Sequence, residues 1–168
     1  MKTVLILGGG TAGTMIANKL SARLERTDWR VIVVDKDDIH DYQPGYLFIP
    51  FGINTPEQVR RSMHTFLAEG VELVMGEVDV VEPDAKLVRL EGGREIGYDY
   101  LVIATGTTPR PDQTPGMLGD EWHKSVNEFY TFEGALALRD ALRRFEGGRL
   151  VMHITELPIK CPVAPLEF

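Results

Sequence analysis

The sequence contains a single cysteine, Cys161, among its 168 residues. One cysteine cannot form an internal disulfide, so nothing in the chain requires an oxidising compartment. No apolar stretch approaches the roughly 20 residues of a membrane-spanning helix, and the apolar run at residues 4–7 is too short for a signal peptide. We therefore expect a cytoplasmic protein, with peripheral attachment to a membrane left open.

Positive charge is also scarce, because 18 Lys and Arg residues face 25 Asp and Glu residues and the net charge is −7. Nucleic-acid binding needs a basic face that displaces counterions, so this class of function is not expected. The four histidines, at positions 40, 64, 123 and 153, lack the spacing of metal ligands and are expected on the surface or in packing. No metal site is predicted.

A glycine cluster follows the first apolar run, and its sequence GGGTAG fits the pattern G-x-G-x-x-G. Gly8 permits a tight turn, Gly10 leaves room for a pyrophosphate, and Gly13 lets a helix pack close to the strand. The N–H groups around Thr11 and Ala12, at the start of that helix, then face the phosphates together with the positive end of the helix dipole. The pattern therefore predicts a dinucleotide-binding turn.

An acidic residue completes this pattern. Residues 31–34 predict a second buried strand, which ends at Asp35, roughly 20 residues after the last glycine of the turn. A carboxylate at that place accepts hydrogen bonds from an adenosine ribose and repels a 2′-phosphate, which disfavours NADP. We include the next residue, Lys36, in the predicted cofactor site.

The middle of the chain predicts further elements of an α/β fold. Thr55-Pro56-Glu57-Gln58 has the features of a helix start, and an apolar stripe continues to a stop near Gly70. Residues 71–96 predict short extended runs in an antiparallel meander, with a break near Gly76, and residues 98–105 predict a buried strand. A last helix is predicted over residues 132–145.

The C-terminal part predicts the start of another unit. Residues 149–154 are expected to open a second nucleotide-binding-type domain as a strand, and residues 165–168 resemble the first turn of a helix. We accordingly divide the chain into a dinucleotide-binding domain at residues 1–110 and a linker with the incomplete second domain at residues 111–168. We expect the chain to be the front of a longer protein.

The segment Ala104-Thr105-Gly106, followed by Pro109, resembles the two-dinucleotide-binding-domain flavoproteins. In that family an ATG sequence at the end of this strand passes close to FAD. The resemblance implies a Rossmann-like FAD-binding domain with a parallel sheet and an antiparallel meander.

A narrower resemblance covers essentially the whole chain. Besides the GGGTAG and ATG segments, the loop YQPGYL at residues 42–47 and the segment KCPVAP at residues 160–165 resemble sulfide:quinone oxidoreductases and flavocytochrome c sulfide dehydrogenases. The resemblance implies that Gln43 and Pro44 lie near the flavin. It also implies that Cys161 attacks or carries sulfur from sulfide, while electrons pass through FAD to a quinone or cytochrome.

Two further residues of the C-terminal segment bear on this chemistry. Lys160 and a helix start close to Cys161 would both favour the nucleophilic thiolate, and Glu167 is a candidate proton carrier. The partner cysteine of the family lies beyond residue 168, and Asn127 stands where many members have another cysteine.

Two alternatives remain open at this point. One is a related flavoenzyme that takes electrons from NADH, although residues 155–165 lack the glycines of a second dinucleotide turn. The other is a truncated chain that binds a nucleotide without catalysis. The family's quinone pocket and membrane-binding helices would lie in a C-terminal part, and the sequence does not decide whether the protein forms a homo-oligomer.

Overall fold

A computed structural model of the chain describes residues 1–161 and residue 164. Its contacts divide the chain into two compact units, one of Met1–Tyr42 with Arg60–Thr107 and the other of Gln43–Val59 with Thr108–Phe168. The domain boundary drawn at residue 110 from the sequence stays a prediction. Within the described ranges, no helix has the length and apolar character needed to cross a membrane.

The described chain forms strands and α-helices in the following order. The strands are β1 (Lys2–Leu7), β2 (Trp29–Asp35), β3 (Ile39–Asp41), β4 (Arg60–Ser62), β5 (Val71–Met75), β6 (Val78–Glu82), β7 (Leu87–Leu90), β8 (Glu95–Gly97) and β9 (Tyr100–Ile103). The helices are α1 (Thr11–Ser21), α2 (Pro56–Val59) and α3 (Phe132–Arg144), with short 3-10 helices at Gln43–Phe48, Met63–Thr65 and Pro111–Gln113. The predicted α/β class is confirmed.

A parallel four-stranded sheet is the centre of the first unit, with the strand order β5-β2-β1-β9. Strands β1 and β2 are buried on both faces, as their continuous apolar runs predicted. On one face, Leu5 and Ile32 pack with residues of the antiparallel sheet β6-β7-β8, such as Val88. On the other face, Ile6 and Val33 pack with helix α1. The sheet therefore lies between an antiparallel layer and a helix.

The sequence assigned two of these strands incorrectly. Strand β5 pairs in parallel with β2 and does not belong to the antiparallel meander, which contains only β6, β7 and β8. Strand β9 is an edge strand, and its residues Tyr100 and Ile103 are 55% and 68% exposed. Both errors have one cause, because the pairing partner of a strand is a long-range property that local periodicity does not record.

The helix predicted from Thr55 to Gly70 is also wrong. Helix α2 ends at Val59, and the next three residues form β4, which pairs antiparallel with β3. Arg60 makes two hydrogen bonds to the carboxylate of Asp41, each of 2.9 Å, and Asp38 accepts one of 3.0 Å from the N–H of Met63. These contacts compete with the helix and hold the segment extended. The predicted start is present in part, because Gln58 accepts from the Thr55 N–H at 2.8 Å.

The strand predicted at residues 149–154 is not formed. Its apolar side chains are exposed, with Leu150 at 62% and Val151 at 71%. A strand is stable only where a neighbour pairs with its backbone, and none does so within the described part of the chain. The predicted opening of a second nucleotide-binding-type domain is therefore not present as a strand.

We expect Ile32→Ala to lower the free energy of unfolding by about 2–5 kcal/mol, because it leaves a cavity in a fully packed layer. Ile32 is 1% exposed between the two sheets. Urea unfolding measures the change. Ile103→Ala removes the same atoms from the 68% exposed edge position and should cost less than about 1 kcal/mol. Equal losses for the two variants would contradict the layered core.

Candidate functional site

The candidate site lies at the carboxyl edge of the parallel sheet in the first unit. Strand β1 has β2 on one side and β9 on the other, so the order of strands along the chain reverses next to β1. In open α/β sheets, ligands bind at such a switch point, outside the carboxyl ends of the strands. The glycine turn follows β1 at this place, as the sequence predicted.

The three glycines of the predicted pattern differ in what surrounds them. Gly8 has φ +96°, and a Cβ on it would lie 2.5 Å from the carbonyl oxygen of Ala104. A Cβ on Gly13 would lie 1.8 Å from the carbonyl oxygen of Gly8, so this glycine allows α1 to approach the turn. A Cβ on Gly10 would meet nothing within 4 Å. Gly8 and Gly13 are needed for the fold, whereas Gly10 leaves an open space.

This open space adjoins the beginning of helix α1. Gly10 is the N-cap and has no side chain to accept a hydrogen bond, and its carbonyl accepts from the Thr14 N–H at 2.9 Å. The following residues, Thr11 and Ala12, are exposed. The N–H groups of a first helical turn have no intrahelical acceptor and carry the positive end of the helix dipole. The arrangement can bind an anion such as a phosphate.

The carboxylate of Asp35 is fixed beside the turn at the end of β2. Its Oδ2 accepts from the N–H of Gly9 at 2.6 Å, and its Oδ1 accepts from the N–H of Lys36 at 2.7 Å. An ionised carboxylate has about four lone-pair positions, so these two bonds leave acceptors for a ribose hydroxyl. Lys36 contacts this carboxylate through its backbone N–H, and the residue is exposed.

The ATG segment reaches the same edge of the sheet. The Ala104 N–H donates to the carbonyl of Leu7 at 2.7 Å, which extends the β1–β9 pairing. Thr105 is close to the turn, because its Cα would lie 2.9 Å from a Cβ on Gly8. Gly106 lies three residues after the end of β9 and has φ +72°, a conformation that favours glycine. The structure therefore brings the ATG segment against the glycine turn.

Sequence reasoning missed Gly9, which is buried and in contact with two other segments of the first unit. A Cβ on Gly9 would lie 2.1 Å from the sulfur of Met63. Its carbonyl accepts from the Thr14 hydroxyl at 2.7 Å and lies 3.0 Å from Nδ1 of His40. The middle place of Gly9 in the GGG run was the only local signal for this position, since Met63 and His40 are distant in sequence.

The second unit contains the remaining described residues of the prediction. Gln43 and Pro44 open a 3-10 helix and are exposed, and Gln43 Oε1 accepts a hydrogen bond from the Lys160 ammonium. Tyr46 of the same loop is only 4% exposed and packs edge-on against Phe132, so it is a core residue. The predicted contact of this loop with a flavin stays a prediction.

Cys161 is an exposed free thiol with φ +55°. Its carbonyl accepts from the Ala164 N–H at 3.1 Å. Burial, and then the negative charge of a Cys161 thiolate, raise the pKa of Tyr130. The buried Tyr130 hydroxyl has no hydrogen-bond partner among the described residues. The predicted Glu167 lies outside the described residues.

In the part of the chain that the structure describes, no three His, Cys, Asp or Glu side chains come together in a way that would hold a metal ion. Elsewhere in the first unit, Arg30, Glu72 and Arg94 border a depression of about 150 Å³. Arg30 and Glu72 form an ion pair with 2.8 Å between nitrogen and oxygen. The candidate site therefore consists of the glycine turn with its acid, and separately of the Cys161 segment.

Residues 2–151 match the family model described as pyridine nucleotide-disulphide oxidoreductase. Among curated proteins, the mitochondrial sulfide:quinone oxidoreductase of Mus musculus is 27% identical over 96% of this chain and 36% of its own length. The NAD(P)H coenzyme A polysulfide/persulfide reductase of Pyrococcus horikoshii is 31% identical over 90% of this chain and 34% of its own length. The chain thus spans about a third of these relatives.

Solved structures agree on the fold. The crystal structure of the sulfide:quinone oxidoreductase from Aquifex aeolicus superposes with a TM-score of 0.66, at 23% identity, over 85% of this chain and 32% of that one. At this identity the likeness concerns the fold alone, and it confirms the Rossmann-like architecture expected from the sequence.

Gly10→Ala and Gly13→Ala add the same methyl group with opposite expected results. Gly10 has φ −65° and faces open space, so its variant should keep its stability and bind ADP about tenfold more weakly. Gly13→Ala should lose about 1–3 kcal/mol of stability through overpacking. Thermal unfolding and calorimetric titration with ADP measure the two effects. Unaltered ADP affinity in Gly10→Ala would show that the open space at Gly10 is not part of the ADP-binding site.

Proposed function

Because the chain belongs to the pyridine nucleotide-disulphide oxidoreductase family, we propose that it binds the ADP half of FAD in a flavoenzyme that oxidises sulfide. The family is one of oxidoreductases. The finer assignment is supported by the likeness to the mouse sulfide:quinone oxidoreductase and by the YQPGYL and KCPVAP segments. Since the chain spans about a third of that relative, the activity is proposed for the protein of which this chain is a part.

The open space at Gly10 is the observation that carries this proposal. It lies at the first turn of α1, where N–H groups can bind a pyrophosphate. The Asp35 carboxylate is fixed at the end of the neighbouring strand, where it can accept from a ribose hydroxyl. The residues present therefore fit an adenosine diphosphate group. A 2′-phosphate would meet the negative charge of Asp35, which supports a cofactor without that group.

Bound FAD would supply an acceptor of two electrons. The chain's own part in the sulfur chemistry is assigned to Cys161, whose exposed thiol can take up a sulfur atom. In the described residues Lys160 contacts Gln43, so its ammonium joins the Cys161 segment to the YQPGYL loop within the same unit. A quinone or a cytochrome is the proposed final acceptor of the electrons.

A second candidate is a sulfur reductase that takes electrons from NAD(P)H. The 31% identity with the Pyrococcus horikoshii persulfide reductase favours it. The absence of glycine from residues 155–165 favours the first candidate, since a second dinucleotide turn would need glycines there. The two candidates share the FAD site and the reactive thiol and differ in the direction of electron flow.

We expect the purified chain to take up FAD and to show flavin absorption bands after removal of free cofactor. Asp35→Ala should bind FAD at least about tenfold more weakly, because it removes the ribose acceptor and the bond to the Gly9 N–H. Fluorescence titration measures the dissociation constants. Asp79→Ala, which removes an exposed carboxylate of the same unit, is the matched control.

A chain that never takes up FAD or ADP would contradict the assignment of the glycine turn. If the unaltered chain and Asp35→Ala bind FAD equally well, the assignment of the glycine turn stands and Asp35 is not part of the binding site. In either case the result is independent of the sulfur chemistry, because Cys161 lies in the other unit.

Cys161 can be tested alone because the chain has no other thiol. Its thiolate should attack an S–S bond of inorganic polysulfide, which forms a cysteine persulfide and releases a polysulfide shorter by one sulfur atom. Intact-mass measurement should show the gain of one sulfur atom in the unaltered chain and none in Cys161→Ser. An unmodified chain in a mixture that converts free glutathione to its persulfide would exclude Cys161 as the sulfur carrier.

A further inference from the structure

His40 is a buried polar side chain that the proposed chemistry does not use. It lies in β3 and is 9% exposed, and its Nδ1 is 3.0 Å from the carbonyl oxygen of Gly9. The same oxygen accepts from the hydroxyl of Thr14, which is 6% exposed, at 2.7 Å. A carbonyl oxygen can only accept, so the proton of the His40 ring lies on Nδ1 and this nitrogen is the donor.

This pair of donors fixes the direction of the next N–H group. The peptide that joins Gly9 to Gly10 is planar, and in a trans peptide its C=O and N–H point in opposite directions. Two buried donors hold the Gly9 carbonyl toward the interior. The N–H of Gly10 consequently points away from the interior, and Gly10 itself is exposed whereas Gly9 is buried.

The position of His40 is itself fixed by three neighbours. It pairs with Arg61 of β4 in the two-stranded sheet. Its ring lies on that of Phe66, with 4.5 Å between the centroids. The Asp41–Arg60 ion pair joins β3 to β4 at the next residue pair of the hairpin. The hairpin that replaces the predicted helix therefore carries the histidine to the turn.

We propose that His40 is a positioning residue of the nucleotide site, which acts by holding the Gly9 carbonyl so that the Gly10 N–H faces the pyrophosphate. This inference rests on the proposed binding of FAD by the glycine turn. Without the His40 donor, the peptide retains one hydrogen bond from Thr14 and can rotate. The N–H group that should meet the phosphate is then presented only part of the time.

Two substitutions separate the hydrogen bond from the packing of the ring. His40→Asn keeps an N–H donor close to the place of Nδ1, whereas His40→Leu fills the site without a donor. ADP and FAD are titrated calorimetrically into the 168-residue chain. We expect His40→Leu to bind ADP about fivefold to tenfold more weakly, as for the loss of one buried hydrogen bond, and His40→Asn to bind within about twofold of the unaltered chain. His64→Leu, at an exposed histidine of the same unit, is the control.

A second measurement observes the hydrogen bond directly. The nitrogen chemical shifts of the imidazole ring report which nitrogen carries the proton, and we expect His40 in the neutral ring to be protonated on Nδ1. If His40→Leu does not fold, this tautomer and the ADP affinity of His40→Asn decide the question.

The outcomes distinguish the inference from the proposed function. If the unaltered chain binds no ADP, both are overturned. If it binds ADP, equal affinity in His40→Leu, a loss in folded His40→Asn as large as that in His40→Leu, or a neutral ring protonated on Nε2 overturns the role of His40 and leaves the cofactor site standing.

Discussion

The close approach of helix α1 to the end of strand β1 is the constraint on which the rest of the first unit depends. The carbonyl of Gly8 would lie 1.8 Å from any Cβ at Gly13, so the two segments meet only where glycine occupies the helix. That contact sets the position of the helix start at the carboxyl edge of the sheet. The helix start then lies at the same edge as Asp35 and the ATG segment, because β2 and β9 flank β1 in parallel.

How much of this arrangement the sequence predicted depends on the range of the interactions. The β1–α1–β2 unit, the break near Gly76 and the last helix follow from periodicity and turn residues, and the structure has them all. The helix predicted after Val59 is wrong. Val59 and Met63 are both buried, as the helical spacing indicated, but they are buried in different hydrophobic clusters. Apolar residues at helical spacing indicate burial, but they do not indicate in which hydrophobic cluster each residue packs.

The candidate site shows the same limit. Gly8, Gly10, Gly13 and Asp35 could be named because their spacing belongs to one local motif. His40 could not, since nothing in the sequence around it differs from a histidine in ordinary packing. Its contact with Gly9 arises from the β3–β4 hairpin, which depends in turn on the charges of Asp41 and Arg60. Residues that support a motif from a distant segment are therefore visible only in three dimensions.

In the proposed function, the cofactor and the sulfur chemistry belong to different units of the chain. Among the described residues, the contacts that shape the glycine turn are formed within the protein itself, and a binding geometry that is already in place needs less ordering on binding. Such a turn serves a flavoenzyme whatever its electron donor. The segment around Cys161 lies in the other unit, and exposed apolar residues such as Leu150 and Val151 precede it. The family match at residues 2–151 covers the glycine turn and ends before Cys161, so the thiol bears on the proposed sulfur chemistry and not on family membership.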